Sequence, residues 1–298
     1  MGLVKARDGR RLQVDVSGNP RGRPVFLLHG TPGSRVGPRP RESVLYRLGV
    51  HLICYDRPGY GGSDRHPGRT VGAAALDIEA IADDLGIERF AVVGRSGGGP
   101  HALAAAALLP ERVSGVVVLV GLAPANAYGL DWFQGMTENN VKGYRTADED
   151  GLKLVERLRL QADRARRDPE HLVDVLRTQM TDPDLLVVGD FAIRRLLAQT
   201  YAEALRNGPY GWIDDVLALR SQWGFRPEHI RPPVLLWHGA DDNFSPASHT
   251  RWLAARIPRA YAQVQAQTAH FGAVQILPEM LCWLIGGPLG PPGDAPTD

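Results

Sequence analysis

The sequence has little cysteine: its 298 residues include two, Cys54 and Cys282, and each lies in an apolar run. Because a free cysteine behaves as a small hydrophobic residue, we interpret both as buried thiols rather than as a disulfide. Two unpaired thiols are typical of a protein in a reducing compartment. We therefore expect a cytoplasmic protein that folds without disulfides.

The sequence also lacks an excess of charge of either sign. Its 34 Lys and Arg and 33 Asp and Glu residues give a formal net charge of +1, which removes the electrostatic case for a nucleic-acid or acidic-membrane partner. Apolar runs such as 102–109 and 116–120 fall short of the roughly 18 to 20 residues that span a bilayer. Residues 1–8 carry charges where a signal peptide would need an unbroken apolar stretch, so we expect no signal peptide here. We expect a small-molecule substrate as partner, with the oligomeric state open.

Short apolar runs alternate with helical patterns over the first 120 residues. Most of these runs are continuous, which is typical of strands in a parallel sheet covered by helices on both faces. The alternation predicts an α/β fold with a mostly parallel central sheet flanked by helices. The predicted elements are an antiparallel strand at 12–16, strands at 25–28, 52–55, 90–93 and 116–120, and helices at 71–85 and 101–109.

The pattern changes between residues 124 and 225, where the helical period of 3.6 residues dominates. Leu158, Ala162 and Ala165, for example, lie on one helical stripe. The α/β pattern then resumes, with strands at 234–237 and 261–264 and helices near 249–257 and 273–284. We expect an α/β core at 1–123 and 226–286, an inserted all-helical cap at 124–225, and a disordered tail, rich in glycine and proline, at 287–298.

The strongest chemical signal is the run Gly94-Arg95-Ser96-Gly97-Gly98 between a predicted strand and a predicted helix. A nucleophile on so sharp a turn needs very small residues two before and two after it, and Gly94 and Gly98 meet that need. The flanking strand and helix disfavour the alternative of an ordinary glycine-rich turn. A dinucleotide motif would need glycine in place of Ser96, and a P-loop would need a lysine. We predict that Ser96 is a nucleophile and that no cofactor is bound.

A second loop follows the predicted strand 25–28 and reads His29-Gly30-Thr31-Pro32-Gly33. Such a loop can aim a backbone N–H at a developing oxyanion, with a second N–H from the residue after the nucleophile. Because Pro32 has no N–H, we predict Thr31 and Gly97 as the two donors of an oxyanion hole. We interpret His29 as a packing residue that anchors the loop.

Two further loops supply the groups that a serine nucleophile requires. A serine hydroxyl needs a neutral imidazole to take its proton, and the imidazole needs a carboxylate to hold its tautomer. The strand 234–237 leads to Asp241 and Asp242, and His270 lies before the last predicted helix. The chain order Ser96, Asp242, His270 is the order expected on loops at the carboxyl ends of sheet strands.

These motifs resemble those of the α/β-hydrolase fold superfamily, and more narrowly its capped serine hydrolases with an H-G-x-P-G oxyanion loop. That group includes esterases, lactonases, proline iminopeptidases, epoxide hydrolases and haloalkane dehalogenases. The resemblance covers roughly residues 10–123 and 226–286 and includes the run YDRPGYGGSD at 55–64. It implies an acid three residues after Gly239 and a proline four residues further on, which favours Asp242 over Asp241. Because residue 96 is serine, the resemblance disfavours the last two chemistries, which use aspartate nucleophiles.

Several other residues are open to two interpretations. Arg95 could steer a substrate carboxylate, but pairing with an acid in the core is the preferred interpretation. Trp132, Phe133 and Met136 stand where the chain enters the cap, and we predict that they form a substrate-binding apolar pocket, although packing is the alternative. The remaining histidines show no metal-ligand spacing, so we expect no metal.

The predicted activity is hydrolysis of a small-molecule carboxylic ester or lactone through an acyl-enzyme. Three alternatives remain. An aminopeptidase of the proline iminopeptidase type would need cap carboxylates for a free amino terminus, and a C–C bond hydrolase would use the same triad. A non-catalytic small-molecule receptor could share the fold. The carboxylates available in the cap for the first alternative are Glu138, Asp148, Glu149 and Asp150.

Overall fold

The computed structural model describes residues 2–286, which are built around one eight-stranded sheet. The strands are β1 (Gly2–Lys5), β2 (Arg11–Gly18), β3 (Arg23–Leu28), β4 (Val50–Tyr55), β5 (Phe90–Arg95), β6 (Val113–Leu119), β7 (Val234–Gly239) and β8 (Ala260–Gln265). Their order in the sheet is β1-β2-β4-β3-β5-β6-β7-β8. Strand β2 pairs antiparallel with β1 and β4, and all other pairings are parallel.

Helices flank the sheet and follow most of its strands. They are α1 (Glu42–Arg47), α2 (Ala74–Asp84), α3 (Gly98–Leu108), α4 (Glu138–Glu149), α5 (Gly151–Arg167), α6 (His171–Arg177), α7 (Asp182–Gly189), α8 (Phe191–Leu205), α9 (Tyr210–Arg220), α10 (Ser248–Ala254) and α11 (Gly272–Gly286), with short 3₁₀ helices at Val71–Ala73 and Pro227–His229. None of the helices in this part of the chain has the length and apolar character to cross a bilayer.

The sheet is buried on both faces, which explains its continuous apolar runs. Side chains alternate between faces along a strand, so Val92 packs in one apolar cluster with α2 and α3, and Val93 packs in another with α11. Both valines are fully buried. The predicted mostly parallel sheet flanked by helices is confirmed.

The residues predicted as the helical cap, 124–225, contain α4 to α9 and lie between β6 and β7. Their apolar stripes form a separate cluster that includes Val188 and Leu197 and reaches Phe244 and Phe271 of the core loops. The cap therefore packs against the loops that follow β7 and β8. The predicted tail, 287–298, lies outside the described residues.

Three details differ from the sequence analysis. Strand β1 and helix α1 are not among the predicted elements, because their four and six residues are too short to show a periodic pattern. The interpretation of two buried thiols is wrong for one of them: Cys54 is buried, but Cys282 is exposed. Cys282 follows the buried Leu281 on α11 and points away from the face that packs on the sheet.

The parallel strands direct the predicted site residues to one edge of the sheet. Strands β3, β5, β7 and β8 run in the same direction, so their carboxyl ends lie at that edge. The loops that begin after these ends carry Thr31, Ser96, Asp242 and His270. Residues far apart in the chain are thereby brought to one place.

Candidate active site

Ser96 occupies a strained turn between β5 and α3. Its φ of +53° lies in the left-handed region, which a non-glycine residue adopts at a cost. A Cβ on Gly94 would lie 2.4 Å from the carbonyl oxygen of Gly98, and a Cβ on Gly98 would lie 2.5 Å from that of Leu28. The two glycines are therefore required for this turn, as the sequence analysis expected. Ser96 itself is part-exposed and faces a cavity.

His270 and Asp242 meet at the edge of this cavity. The Nδ1–H of His270 donates to Oδ2 of Asp242 at 2.8 Å. The other carboxylate oxygen of Asp242 accepts the backbone N–H groups of Phe244 at 2.8 Å and Ser245 at 3.0 Å. Asp241, the alternative acid, is exposed. The geometry thus pairs Asp242 with Nδ1 of His270, so the lone pair of the ring lies on Nε2.

The charges in this pair stabilise each other. Burial opposes ionisation of Asp242, but the His270 charge and hydrogen bonds from His238 and His270 outweigh it, so the pKa of Asp242 is lowered. Burial also opposes protonation of His270, yet the charge of Asp242 and its hydrogen bond outweigh it and raise the pKa of His270 from its ordinary value. Asp242 is therefore ionised at neutral pH and favours an imidazolium beside it.

Thr31 and Gly97 lie side by side next to Ser96. A Cβ on Gly97 would lie 2.2 Å from Oγ1 of Thr31, and a Cβ on Gly30 would lie 3.5 Å from Cβ of Ser96. Within residues 2–286, neither the Thr31 nor the Gly97 backbone N–H has an acceptor. Both groups remain available to an oxygen that develops negative charge beside Ser96.

The Thr31 loop is anchored from beneath by Asp215 of the helical cap, which is fully buried on α9. Its carboxylate accepts hydrogen bonds from Thr31 Oγ1 at 2.6 Å, Arg57 Nη2 at 2.5 Å, Arg69 Nη2 at 2.6 Å and the Tyr60 hydroxyl at 2.9 Å. Burial disfavours the charge, but the two guanidinium groups outweigh this and hold the pKa of Asp215 well below its usual value. A buried ion cluster therefore fixes the loop.

His29 belongs to the same support and not to the reacting groups. Its ring Nδ1–H donates to the Gly30 carbonyl at 2.9 Å, and its Nε2 accepts the backbone N–H of Arg57 at 3.1 Å. Both ring nitrogens are thus engaged, one within the loop and the other by the backbone that follows β4. Burial and the charge of Arg57 lower the pKa of His29, so its ring is neutral.

A second cap carboxylate, Asp184 on α7, holds the His270 loop. It is fully buried and accepts the backbone N–H of His270 at 3.2 Å and that of Phe271 at 2.7 Å. Burial raises the pKa of Asp184 to about 6, although the His270 charge and these two hydrogen bonds oppose the increase. Asp184 is not among the predicted site residues, because an aspartate in the first turn of a helix normally lies at the surface.

A cavity of about 120 Å³ is lined by Ser96, Thr31, Gly97 and His270. An apolar cavity of about 110 Å³ adjoins it under the cap and shares the side chains of Leu176 and Phe244 with it. Of the described residues that line either cavity, none is an aspartate or glutamate. The cap residues of the first cavity are Asn140, Tyr144, Leu176, Leu197, Thr200 and Tyr201.

Trp132, Phe133 and Met136, predicted to bind substrate, are not among the described residues that line these cavities. Trp132 is 5% exposed, and its Nε1–H donates to the Ala123 carbonyl at 2.9 Å. The guanidinium of Arg220 covers its ring at 4.3 Å. The aromatic cluster instead packs the base of the cap onto the core, which corrects the prediction.

The preferred interpretation of Arg95 is also wrong. Among residues 2–286, no carboxylate forms an ion pair with Arg95, and its Nη1–H reaches only the Pro38 carbonyl at 3.5 Å. The side chain lines the cavity that contains Ser96.

Comparisons with known proteins agree with this fold. A model of the alpha/beta hydrolase fold family matches residues 23–275. Over 138 residues the chain is 35% identical to a proline iminopeptidase of Xylella fastidiosa (strain 9a5c), which covers 44% of this chain and 42% of that protein. The match thus spans less than half the length of this relative.

Two further comparisons cover most of the chain. Over 259 residues it is 26% identical to a 2-hydroxy-6-oxononadienedioate/2-hydroxy-6-oxononatrienedioate hydrolase of Cupriavidus pinatubonensis, covering 83% of this chain and 80% of that one. Among solved structures, a thermophilic esterase from Thermogutta terrifontis superposes with a TM-score of 0.67 at 20% identity, over 95% of this chain and 98% of the other. At this identity the structural likeness is one of fold.

Proposed function

This chain belongs to the α/β-hydrolase fold family, and we propose on that premise that it is a serine hydrolase that cleaves a small-molecule carboxylic ester or lactone. The observation that carries the proposal is the hydrogen bond of 2.8 Å between His270 Nδ1 and Asp242 Oδ2, at a cavity that Ser96 also lines. This hydrogen bond leaves Nε2 as the nitrogen that can take a proton from serine.

In the proposed reaction, Ser96 Oγ attacks the carbonyl carbon while its proton moves to His270 Nε2. The carbonyl oxygen becomes an oxyanion and accepts hydrogen bonds from the backbone N–H groups of Thr31 and Gly97, in the manner of the H-G-x-P-G loop. The C–O bond to the leaving group breaks, and Nε2–H returns its proton to that oxygen. A water molecule, deprotonated by His270, then attacks the acyl carbon; the bond to Ser96 Oγ breaks, Nε2–H returns its proton to Oγ, and the carboxylic acid leaves.

The described residues that line the two cavities favour ester or lactone hydrolysis over aminopeptidase activity, because they include no carboxylate. A protonated amino terminus requires a carboxylate partner, and the described residues lining the cavities provide none. The cap carboxylates considered for that role lie elsewhere: Glu138, Asp148 and Glu149 are exposed, and Asp150 caps α5. The anchoring carboxylates, Asp184 and Asp215, are occupied by their own hydrogen bonds.

The proposed chemistry requires no cofactor, because nucleophile, base and oxyanion donors all come from the chain. Both cysteines are free thiols, and the proposed location is the cytoplasm, where such thiols stay reduced.

The test is covalent labelling and turnover of the Ser96→Ala variant. Wild-type protein is expected to react with a fluorophosphonate and to hydrolyse a short-chain p-nitrophenyl ester, whereas S96A is expected to lose labelling and roughly 10⁴-fold or more in kcat. Ser114→Ala is the matched control, since Ser114 lines neither cavity and its Oγ donates to the carbonyl of Phe90, at the opposite end of β5 from Ser96. Labelling of S96A at another serine would contradict the assignment. If the wild-type protein is labelled but turns over only an aminoacyl amide or a diketone, the assignment of Ser96, Asp242 and His270 stands and the proposed ester or lactone substrate is wrong.

A further inference from the structure

Arg95 is a cation placed at the nucleophile without a counter-charge. It precedes Ser96 in the chain, ends strand β5 and lines the same cavity. Its Nη1–H lies 3.5 Å from the Pro38 carbonyl, at the limit of a hydrogen bond. A Cβ on Gly37 would lie 3.3 Å from its Nη2, so the guanidinium rests against the loop that follows Thr31. No carboxylate of residues 2–286 pairs with it.

Other buried guanidinium groups near the site are neutralised. Arg57 and Arg69 pair with Asp215 at 2.5 and 2.6 Å. A buried charge without a partner is costly, and the fold avoids that cost for these two arginines. Burial lowers the pKa of Arg95, as expected for a cation that lacks a carboxylate neighbour. Of the two described cavities that Arg95 lines, the one at Ser96 has a volume of about 120 Å³ and the other only about 10 Å³, so a carboxylate can be accommodated beside Arg95 in the cavity of Ser96.

Resting on the serine hydrolase function proposed above, we propose that Arg95 binds a carboxylate of the substrate. A guanidinium presents parallel N–H groups that match the two oxygens of a carboxylate, so the pairing is directional as well as electrostatic. The substrate is then an ester or lactone that carries a carboxylate near the scissile carbonyl.

The remainder of the substrate is expected to be apolar. The adjoining cavity is lined by side chains such as Leu154, Leu158, Leu172 and Val216. Its wall also carries a second arginine, Arg157, whose Nη2–H donates to the Asn139 carbonyl at 3.2 Å. Arg157 does not line the cavity of Ser96, so its variant tests whether this second arginine contributes to a preference for anionic substrates, whatever its effect on absolute rates.

The experiment compares three chromogenic esters: p-nitrophenyl butyrate, p-nitrophenyl hemiglutarate, and the butyrate ester of a carboxylated nitrophenol. Wild-type protein is expected to prefer at least one of the two anionic esters over p-nitrophenyl butyrate in kcat/KM by about tenfold or more. Arg95→Met should lower kcat/KM for that ester about 10- to 100-fold more than for the neutral one. Arg95→Lys keeps the charge but loses the parallel N–H groups, so it should retain part of the preference for the anionic ester. Arg157→Met should retain all of that preference.

Binding of glutarate, measured by calorimetry, separates this proposal from the proposed function. Tighter binding to wild type and R157M than to R95M supports a carboxylate site at Arg95, whatever the rate of ester cleavage. Equal affinity of folded wild type and R95M overturns the Arg95 proposal, and so does loss of the anionic preference in R157M alone. A wild-type protein that cleaves none of the three esters contradicts the hydrolase function and leaves the binding result to decide on Arg95.

Discussion

Asp184 of the helical cap accepts the backbone N–H of His270 across a distance of 3.2 Å. A fully buried carboxylate on α7 thereby fixes the backbone that carries the proposed base. The contact links the cap to the chemistry directly, because a shift of α7 would move the imidazole relative to Ser96. Asp184 acts on the reaction through His270 and is a positioning residue.

The first prediction concerns Asp184→Asn. The amide can accept only one of the two N–H groups and its NH₂ faces the other, so kcat is expected to fall roughly tenfold from misplacement of His270. The neutral imidazole is the base, so kcat/KM rises with pH through the pKa of His270, which Asp242 and Asp184 raise from its ordinary value. The Asp184 charge contributes to raising that pKa, and its removal should move the acidic limb to lower pH.

Asp182→Asn is the control for this prediction. Asp182 is exposed on the same helix, and its variant should keep the wild-type pH profile. An acidic limb that does not move in a folded D184N protein would show that Asp184 has no electrostatic influence on the base.

The second prediction compares the two neighbouring acids. Asp242→Asn should lower turnover roughly 10³- to 10⁴-fold, because an amide favours the wrong imidazole tautomer. Asp241→Asn should have a far smaller effect, since Asp241 is exposed. Steady-state kinetics on one ester, with melting temperatures as a control for folding, decides between them. Similar losses in both variants would contradict the pairing seen between Asp242 and His270.

The third prediction separates packing from specificity in the cap. Trp132→Ala should cost about 3 to 5 kcal/mol of unfolding free energy and leave the preferred acyl length unchanged, because Trp132 is a buried packing residue. Leu176 lines both cavities, so Leu176→Ala should shift the preference toward longer chains. Urea midpoints and chain-length profiles on both variants test this. An altered chain-length profile in W132A would show that Trp132 contributes to substrate binding and contradict its role as a packing residue.

The fourth prediction concerns the buried ion cluster. Asp215→Asn leaves Arg57 and Arg69 without their carboxylate and should cost about 3 to 5 kcal/mol of unfolding free energy, measured by urea denaturation. Asp214→Asn on the same helix should cost less, because its partner Arg65 is 38% exposed and water can replace the lost charge. Equal losses would mean that the cluster has no special role in stability.

Much of the fold could be predicted because the core strands are buried on both faces. Strands β3 to β7 have continuous apolar runs, and the predicted bounds agree with the observed ones to within three residues. The candidate residues could be chosen from different signals: Ser96 from its glycine-flanked motif after a strand, Asp242 from the spacing that the resemblance implies, and His270 from its place between the last strand and the last helix.

The supporting groups could not be predicted, because their roles depend on contacts distant in the chain. Asp184 and Asp215 look in the sequence like any helical aspartate, and only the packing of the cap brings them to His270 and Thr31. Apolar character alone likewise does not distinguish a packing tryptophan from a cavity wall, which is why the prediction for Trp132 was wrong.

Helix α9 is part of the cap in the chain, but its Asp215 forms ion pairs with Arg57 and Arg69 of the core. Helix α9 also packs closely on the core, since a Cβ on Gly211 would lie 2.5 Å from the ring of Tyr60. A chimera that receives its cap from a relative must therefore be joined before α9 and not after it. The exchangeable module is then α4 to α8 with an aspartate kept at position 184, so that a new substrate range leaves both the His270 contact and the ion cluster around Asp215 intact.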